Sequence, residues 1–277
     1  MNKIIAKKSI SADLVKFEIR TSVALKEIKV GQHVVLIVEK NQPEIPLAVL
    51  RTDSEKETIT VIVYAKDQYT KRLAELNSGS EIFRIEGPFG YPARIENFGS
   101  VLCVGRGPGI VMLLPILNSL RAAGNQICTI LSAQTKEGII LENEIKAISN
   151  EVITITDDGS IGLKSSVCQA MIQSIKTINP DQVFAIGSAT IIKVTCAHTT
   201  KYNIPNQAIL YLKQNCKNAG HGIFKVSICG SAKAVCVDGF NFNAWYPNFE
   251  EMIKRFGHEE LESPRKVNST AEVNMPV

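Results

Sequence analysis

The chain has no long hydrophobic run. Nowhere in its 277 residues does an apolar stretch approach the ~20 needed to cross a bilayer, so no membrane span is expected. It has no dominant charge either. The 31 Lys and Arg against 27 Asp and Glu leave +4, mixed along the sequence. With so mild an excess and no Lys/Arg stripe, nucleic acid is excluded as the expected partner. The first residues, Met1 to Lys8, lack the apolar h-region of a secretory leader, so no signal peptide is read and a cytoplasmic location is expected. No internal repeat is visible. No Ser/His/Asp or Cys/His arrangement calls for nucleophilic or acid–base work, and no catalytic side chain is assigned.

What is there is ordinary globular material. The hydrophobic share is 45% and the charged share 21%, which excludes a wholly disordered chain and supplies a core. The length suits two domains. Seven cysteines are present, at 103, 128, 168, 196, 216, 229 and 236, and the last three fall within 21 residues. In a cytoplasmic protein they are expected as reduced thiols or metal ligands rather than disulfides.

The pattern changes near residue 97. Before it, the stretches Ile10 to Thr21, Glu27 to Val38 and Thr58 to Tyr64 read as short strands, with one helical stretch from Thr70 to Leu76. Strands at this spacing suggest a small antiparallel β-barrel. After it, apolar strands without alternation (Val101 to Val104, Ile127 to Ala133, Val152 to Thr156, Gln182 to Gly187) alternate with helical stretches (Ile110 to Ala123, Leu141 to Ile148, Ser166 to Ile175). That alternation predicts a parallel-sheet α/β domain of the nucleotide-binding kind. The pattern is expected to end near Ala208. The resulting division is 1–97 for the barrel, 98–207 for the α/β domain, 208–256 for a cysteine-containing segment and 257–277 for a polar tail.

Gly105, Gly107 and Gly109 lie between a buried strand and a helix, where backbone N–H groups and a helix N-terminus can meet a phosphate. A tight strand-to-helix turn with no ligand fits the same residues. Arg106 adds a cation that could pair with a phosphate, and Pro108 removes a donor. Asp157 and Asp158 close the third strand, and Gly187 closes the fourth. The carboxylates could accept from ribose or amide groups, or simply form a cap and a turn. Three polar, glycine-bearing strand ends on one sheet edge are expected to form a crevice of the kind where open α/β sheets bind ligands.

This order of parts resembles the ferredoxin–NADP reductase superfamily. The branch it is most similar to is the electron-transfer subunit of dihydroorotate dehydrogenase, with relatives such as the small subunit of NADH-dependent reduced ferredoxin:NADP oxidoreductase. The stretches carrying the resemblance are Leu141-Glu-Asn-Glu, Thr156-Asp-Asp-Gly-Ser-Ile-Gly, and Cys236-Val-Asp-Gly with Phe242 and Phe249. It implies FAD on the barrel, NAD(P)H in the α/β domain, a 2Fe–2S cluster near the C-terminus, and a larger oxidoreductase subunit as partner in a hetero-oligomer.

The implied sites are altered. An Arg-x-Pro-Leu-Thr stretch usually holds flavin in such relatives. Here it reads Glu44-Ile-Pro-Leu-Ala, so Pro46 and Leu47 match while Glu44 replaces the Arg and Ala48 the Thr. A second element, Gly-x-x-Thr, reads Asp67-Gln-Tyr-Thr, so Thr70 matches and Asp67 replaces the Gly. A like charge in place of a charge-assisted partner should cost on the order of several kcal/mol near a pyrophosphate. The cluster spacing reads Cys216-x4-His221-x2-Phe224-x11-Cys236, with both middle cysteines gone. His221 could ligate iron and Phe224 cannot, so an intact 2Fe–2S cluster is not expected. A single metal on Cys216, His221, Cys229 and Cys236 is a further reading, and ordinary buried thiols another. The nucleotide loop is the least altered. Gly105, Gly107, Gly109, Asp157, Asp158 and Gly187 match, with Arg106 and Pro108 departing. Gln134 stands where an adenosine-phosphate Arg is common, which leaves NADP preference unsupported.

Two functions are expected from this. One is the electron-transfer subunit of an NAD(P)H-dependent flavin oxidoreductase complex. The other is a cofactor-depleted paralogue that keeps a structural or regulatory place in such a complex.

Overall fold

The structure, a computed structural model, describes residues 2–65, 67–90, 92–210, 225–228, 231–234 and 241–242. The first sheet comprises β1 (Asn2–Ser9), β2 (Leu14–Arg20), β3 (His33–Ile37), β4 (Ile45–Asp53), β5 (Thr58–Tyr64), β6 (Glu81–Ile82) and β7 (Arg84–Phe89), with helix α1 (Gln68–Glu75) after β5. Its order is β6-β1-β2-β5-β4-β3-β7, and every pairing is antiparallel. The sheet curls into a nearly closed barrel around one core that includes Ile4, Phe17, Ile19, Val34, Ile59 and Leu73. Alternation sets the inner face: on β2, Phe17 and Ile19 are buried while Lys16 and Arg20 are exposed.

The second sheet begins at β8 (Ser100–Arg106). It is followed by α2 (Gly109–Ala122), β9 (Gln126–Ala133), α3 (Glu142–Ile148), β10 (Glu151–Thr156), β11 (Leu163–Lys164), α4 (Val167–Ile178), β12 (Gln182–Gly187), α5 (Ala189–Lys201) and β13 (Asn206–Leu210). A hairpin of β14 (Lys225–Ile228) and β15 (Ser231–Ala234) follows, then β16 (Asn241–Phe242). The order is β11-β10-β9-β8-β12-β13-β16, parallel except for β16, which runs antiparallel beside β13. The winding reverses between β8 and β12, and that places a topological switch point beside the glycine loop.

Helices cover both faces of this sheet, which explains why its strands read as unbroken apolar runs. Val101 and Cys103 of β8 pack toward α2 and α3, while Leu102 and Val104 pack toward α4 and α5. Helix α2 buries Ile110, Leu113, Ile116, Leu117 and Leu120. Each side chain so removed from water contributes about 1.5–3 kcal/mol. The same cluster takes in Leu14 and Ile62 from the outer face of the barrel, so α2 is the slab between the two bodies. The linker is fixed as well: the Gln207 side-chain amide accepts from the Arg94 N–H and donates to the Arg94 carbonyl, both at 2.9 Å.

The antiparallel barrel and the parallel α/β body match the sequence expectation. The differences are local. β1, which is not among the strands expected from the sequence, is a full strand paired with β2. Helix α5 and β13, which are not among the elements expected from the sequence, complete the α/β pattern, the latter parallel to β12.

Candidate functional site

Three adjacent strand ends meet at the crevice. Arg106 ends β8, Ser132 lies opposite it on β9, and Asp157 follows β10. The Arg106 guanidinium crosses all three. Its Nη1 donates to Ser132 Oγ at 2.8 Å and to Asp157 Oδ1 at 3.1 Å, and its Nη2 donates to Asp157 Oδ2 at 2.6 Å. The result is a bidentate, charge-assisted pair laid across the strand ends.

Asp158 does something different. Its Oδ1 accepts from the Ser160 N–H at 2.9 Å and from the Ser160 hydroxyl at 2.7 Å. The Ser160 hydroxyl bond, above all, holds its pKa below the usual carboxylate range. The turn is tied to the end of β9 by the Lys136 N–H, which donates to Ser160 Oγ at 2.8 Å.

The glycine loop turns the Gly107 and Ile110 donors inward. The Gly107 N–H donates to the Ser132 carbonyl at 2.9 Å, Pro108 has no N–H, and the Ile110 N–H returns to the Gly107 carbonyl at 3.0 Å. Gly107 has φ +52° with open space where a Cβ would stand. Gly109 is needed for another reason: a Cβ there would lie 2.8 Å from the Ile186 carbonyl oxygen, so the glycine lets α2 approach β12. Gly105 and Gly187 are likewise against side chains of the following helices, Leu113 and Ile191.

On the barrel, Pro46 is exposed and Leu47 is buried on β4, and Ala48 sits opposite His33 of β3. His33 is buried with its ring 5.9 Å from that of Phe89. Burial lowers its pKa to about 4, so it is neutral at neutral pH.

Asp67 is the N-cap of α1. Its Oδ1 accepts from the backbone N–H of both Tyr69 and Thr70 at 2.9 Å, and Thr70 Oγ1 accepts from the Asp67 N–H at 3.1 Å. This is a reciprocal capping box. Two of the N–H groups that an anion would use at this helix start, those of Tyr69 and Thr70, already hold a carboxylate. The exposed Glu44 precedes β4. These residues do not fit an FAD pyrophosphate at α1.

Cys216, His221 and Cys236, together with Phe224 and Cys229, lie outside the described residues. The same is true of the aromatic residues 240, 245, 246 and 249. Cys103, Cys128, Cys168 and Cys196 are free thiols. Burial pushes the Cys103 thiol well up, and those of Cys128 and Cys196 up to about 12. Such thiols are packing groups rather than nucleophiles.

No model of a protein family matches the chain. It is 34% identical over 255 residues to the dihydroorotate dehydrogenase B (NAD(+)) electron transfer subunit homolog of Thermotoga maritima, covering 92% of this chain and 90% of that one. The chain belongs to this electron transfer subunit family. A probable electron transfer subunit of dihydroorotate dehydrogenase B from Methanocaldococcus jannaschii is 30% identical, over 72% of this chain and 74% of that one. Among solved structures, a chain of the NADH-dependent reduced ferredoxin-NADP oxidoreductase is 32% identical, with a TM-score of 0.78 and 93% of each chain covered. A ferredoxin NADP+ reductase from Neisseria gonorrhoeae with bound FAD and NADP shares the fold at 17% identity and a TM-score of 0.56, over 72% of this chain and 89% of that one.

Against the family pattern, the structure adds partners that sequence reasoning missed. Ser132 belongs to no motif in the sequence, and only the strand register sets it opposite Arg106. Asp67 was read only as a charge in place of a glycine. The Asp-x-x-Thr spacing ahead of a helix was itself a capping signal. No helix among the described residues is long and apolar enough to cross a membrane.

Proposed function

We propose that this chain fills the electron-transfer subunit's place in a hetero-oligomeric, NAD(P)H-linked flavin oxidoreductase complex, beside a larger subunit. One observation carries this reading: the likeness to electron transfer subunits runs through more than nine-tenths of the chain, barrel and α/β body alike. In that place, residues 1–97 serve as the flavin-type body, 98–207 as the nucleotide-type body and 208–256 as the degenerate cluster segment. NAD(P)H would be taken at the crevice of Gly105, Arg106, Gly107, Gly109, Asp157, Asp158 and Gly187, and when bound it supplies a hydride. The strand-end edge supports this: it lies beside a switch point and carries two carboxylates that could accept from ribose or amide groups. Free cysteines suit a reducing compartment, and we place the protein in the cytoplasm.

The capping box at Asp67 favours a second reading for the chain within the same complex. On this reading it is a cofactor-depleted paralogue whose role is structural or regulatory. The place in the complex is tested by co-expressing the chain with the larger oxidoreductase subunits of its own source. Light scattering on the purified product should show a stable hetero-oligomer with one of them. A chain that stays alone with every such subunit rejects the proposal.

A further inference from the structure

We infer that this chain satisfies the two charge positions of its dinucleotide-facing surfaces with its own side chains, Asp67 at the start of α1 and Arg106 with Asp157 across the strand ends, and so folds without FAD on its barrel. The inference rests on the proposed place in the complex, and it decides between the two readings of that place.

The first position is the N-terminus of α1. An incoming pyrophosphate needs the unpaired N–H groups of the first helical turn. Both the Tyr69 and Thr70 N–H groups point at Asp67 Oδ1 instead, and the Asp67 N–H is itself held by Thr70 Oγ1. A carboxylate tethered one residue ahead of the helix is present at high effective concentration, so a free anion competes poorly. An anion that sat beside the cap would meet a like charge. Glu44, exposed just before β4, gives no compensating cation.

The second position lies on a different body. Arg106 is the cation nearest the glycine loop, and Asp157 is the first carboxylate of the crevice. Each is taken by the other through two hydrogen bonds, with Ser132 as a third partner of the guanidinium. Arg106 can meet a phosphate, or Asp157 a ribose, only when this bridge opens. The loop backbone offers no substitute at Gly107, Pro108 or Ile110, whose donors are absent or turned inward.

A binding site shaped for a ligand often leaves buried polar atoms waiting for it. Among the described residues, no buried side-chain nitrogen or oxygen lacks a hydrogen-bond partner. The buried side chains of the described residues are therefore satisfied as they stand.

The test uses the full chain, with FAD and NADH as probes. The purified wild type should show no flavin band near about 450 nm, and its melting temperature should not move when FAD is added. Asp67→Asn keeps a good N-cap without the charge and should melt within error of wild type. Asp67→Gly should melt about 1 °C lower. Asp67→Gly combined with Glu44→Arg should bind FAD at least about tenfold more tightly than wild type, read by quenching of flavin fluorescence. Arg106→Gly should bind NADH more tightly than wild type. Flavin in stoichiometric amount on the wild type, an FAD-dependent rise in its melting temperature, or no gain of FAD affinity in the double variant would each overturn the inference. Assembly with the larger subunit is scored separately. Assembly with flavin on this chain defeats the inference and leaves the proposed place standing. A flavin-free chain that never assembles defeats the proposed place and leaves the inference standing.

Discussion

Arg106 grips Asp157 with both terminal nitrogens, at 3.1 and 2.6 Å, across a sequence separation of 51 residues. The pair clamps the end of β8 to the loop after β10, with β9 between them. It is partly open to water, with 23% of the Arg106 side chain and 45% of the Asp157 side chain exposed. After solvent screening, a bidentate pair in this setting is worth about 1 kcal/mol. Arg106→Gln and Asp157→Asn are each expected to lower the melting temperature by about 2–4 °C. The double variant should lose little more than either single one, because the partners share one interaction. Melting curves at low and high salt check this: the gap between wild type and variants should shrink as salt rises.

Of the three glycines of the loop, Gly105 and Gly109 serve packing and Gly107 serves the turn. Gly109→Ala would place a Cβ 2.8 Å from the Ile186 carbonyl oxygen, a backbone atom that cannot step aside. Overpacking of this kind costs about 1–3 kcal/mol, which outweighs alanine's better helix propensity. Gly107→Ala meets no atom within 4 Å, and its only penalty is the φ of +52°, about 1 kcal/mol. Urea midpoints should therefore fall further for Gly109→Ala than for Gly107→Ala. The reverse order would mean that α2 can shift away from β12.

The legibility of the fold in the sequence follows the burial of each element. β5 and β8 were readable because Thr58–Tyr64 is rich in β-branched residues and Val101–Val104 is unbroken apolar. β1 was hidden because Lys3, Lys7 and Lys8 accompany a narrow inner face. Helix α5 was hidden because its buried face carries Thr195, Cys196 and Thr199. Those hydroxyls are satisfied within the helix, Thr195 donating to the Ile191 carbonyl and Thr199 to the Thr195 carbonyl, both at 2.8 Å. Local satisfaction lets a polar face be buried with no hydrophobic period to announce it. At the site, the altered residues Glu44, Asp67 and Arg106 were legible one by one. That Asp67 caps its own helix and that Arg106 reaches Asp157 were not, because both depend on which donors and acceptors the fold brings within about 3 Å.

His33 makes stability depend on pH in a defined window. Its pKa falls from 6.5 in the unfolded chain to about 4 in the folded one because it is buried. Between those values the unfolded state binds the extra proton, so stability declines as pH falls through 6.5 and the loss levels off near 4. The full loss is on the order of 3 kcal/mol. Glu142 and Asp158 have pKa values held below the carboxylate range, so their contributions disappear only at lower pH. His198, whose pKa is also lowered by burial, leaves a smaller slope of the same sign, so urea midpoints taken from pH 7.5 down to 4.5 should fall more steeply for wild type than for His33→Phe, which keeps a ring against Phe89. An equal slope in both proteins would assign the acid sensitivity elsewhere.

Asn125 joins the interdomain segment to the end of α2, and its amide cannot be replaced by a carboxylate. It is 1% exposed. Its Oδ1 accepts from the Phe98 N–H at 2.7 Å, while its Nδ2 donates to the Glu96 carbonyl at 2.8 Å and the Leu120 carbonyl at 2.9 Å. One acceptor and two donors are required, and the asymmetry of the partners fixes which way the amide faces. Asn125→Ala leaves these backbone groups without their side-chain partner, and should cost about 2–3 kcal/mol. Asn125→Asp keeps the size and the acceptor but sets a buried carboxylate against two carbonyl oxygens. It should therefore be at least as damaging as Ala, despite being nearly isosteric with the native residue. Thermal melts of the two variants decide the point, since an Asp variant as stable as wild type would require the Glu96 and Leu120 carbonyls to find other donors.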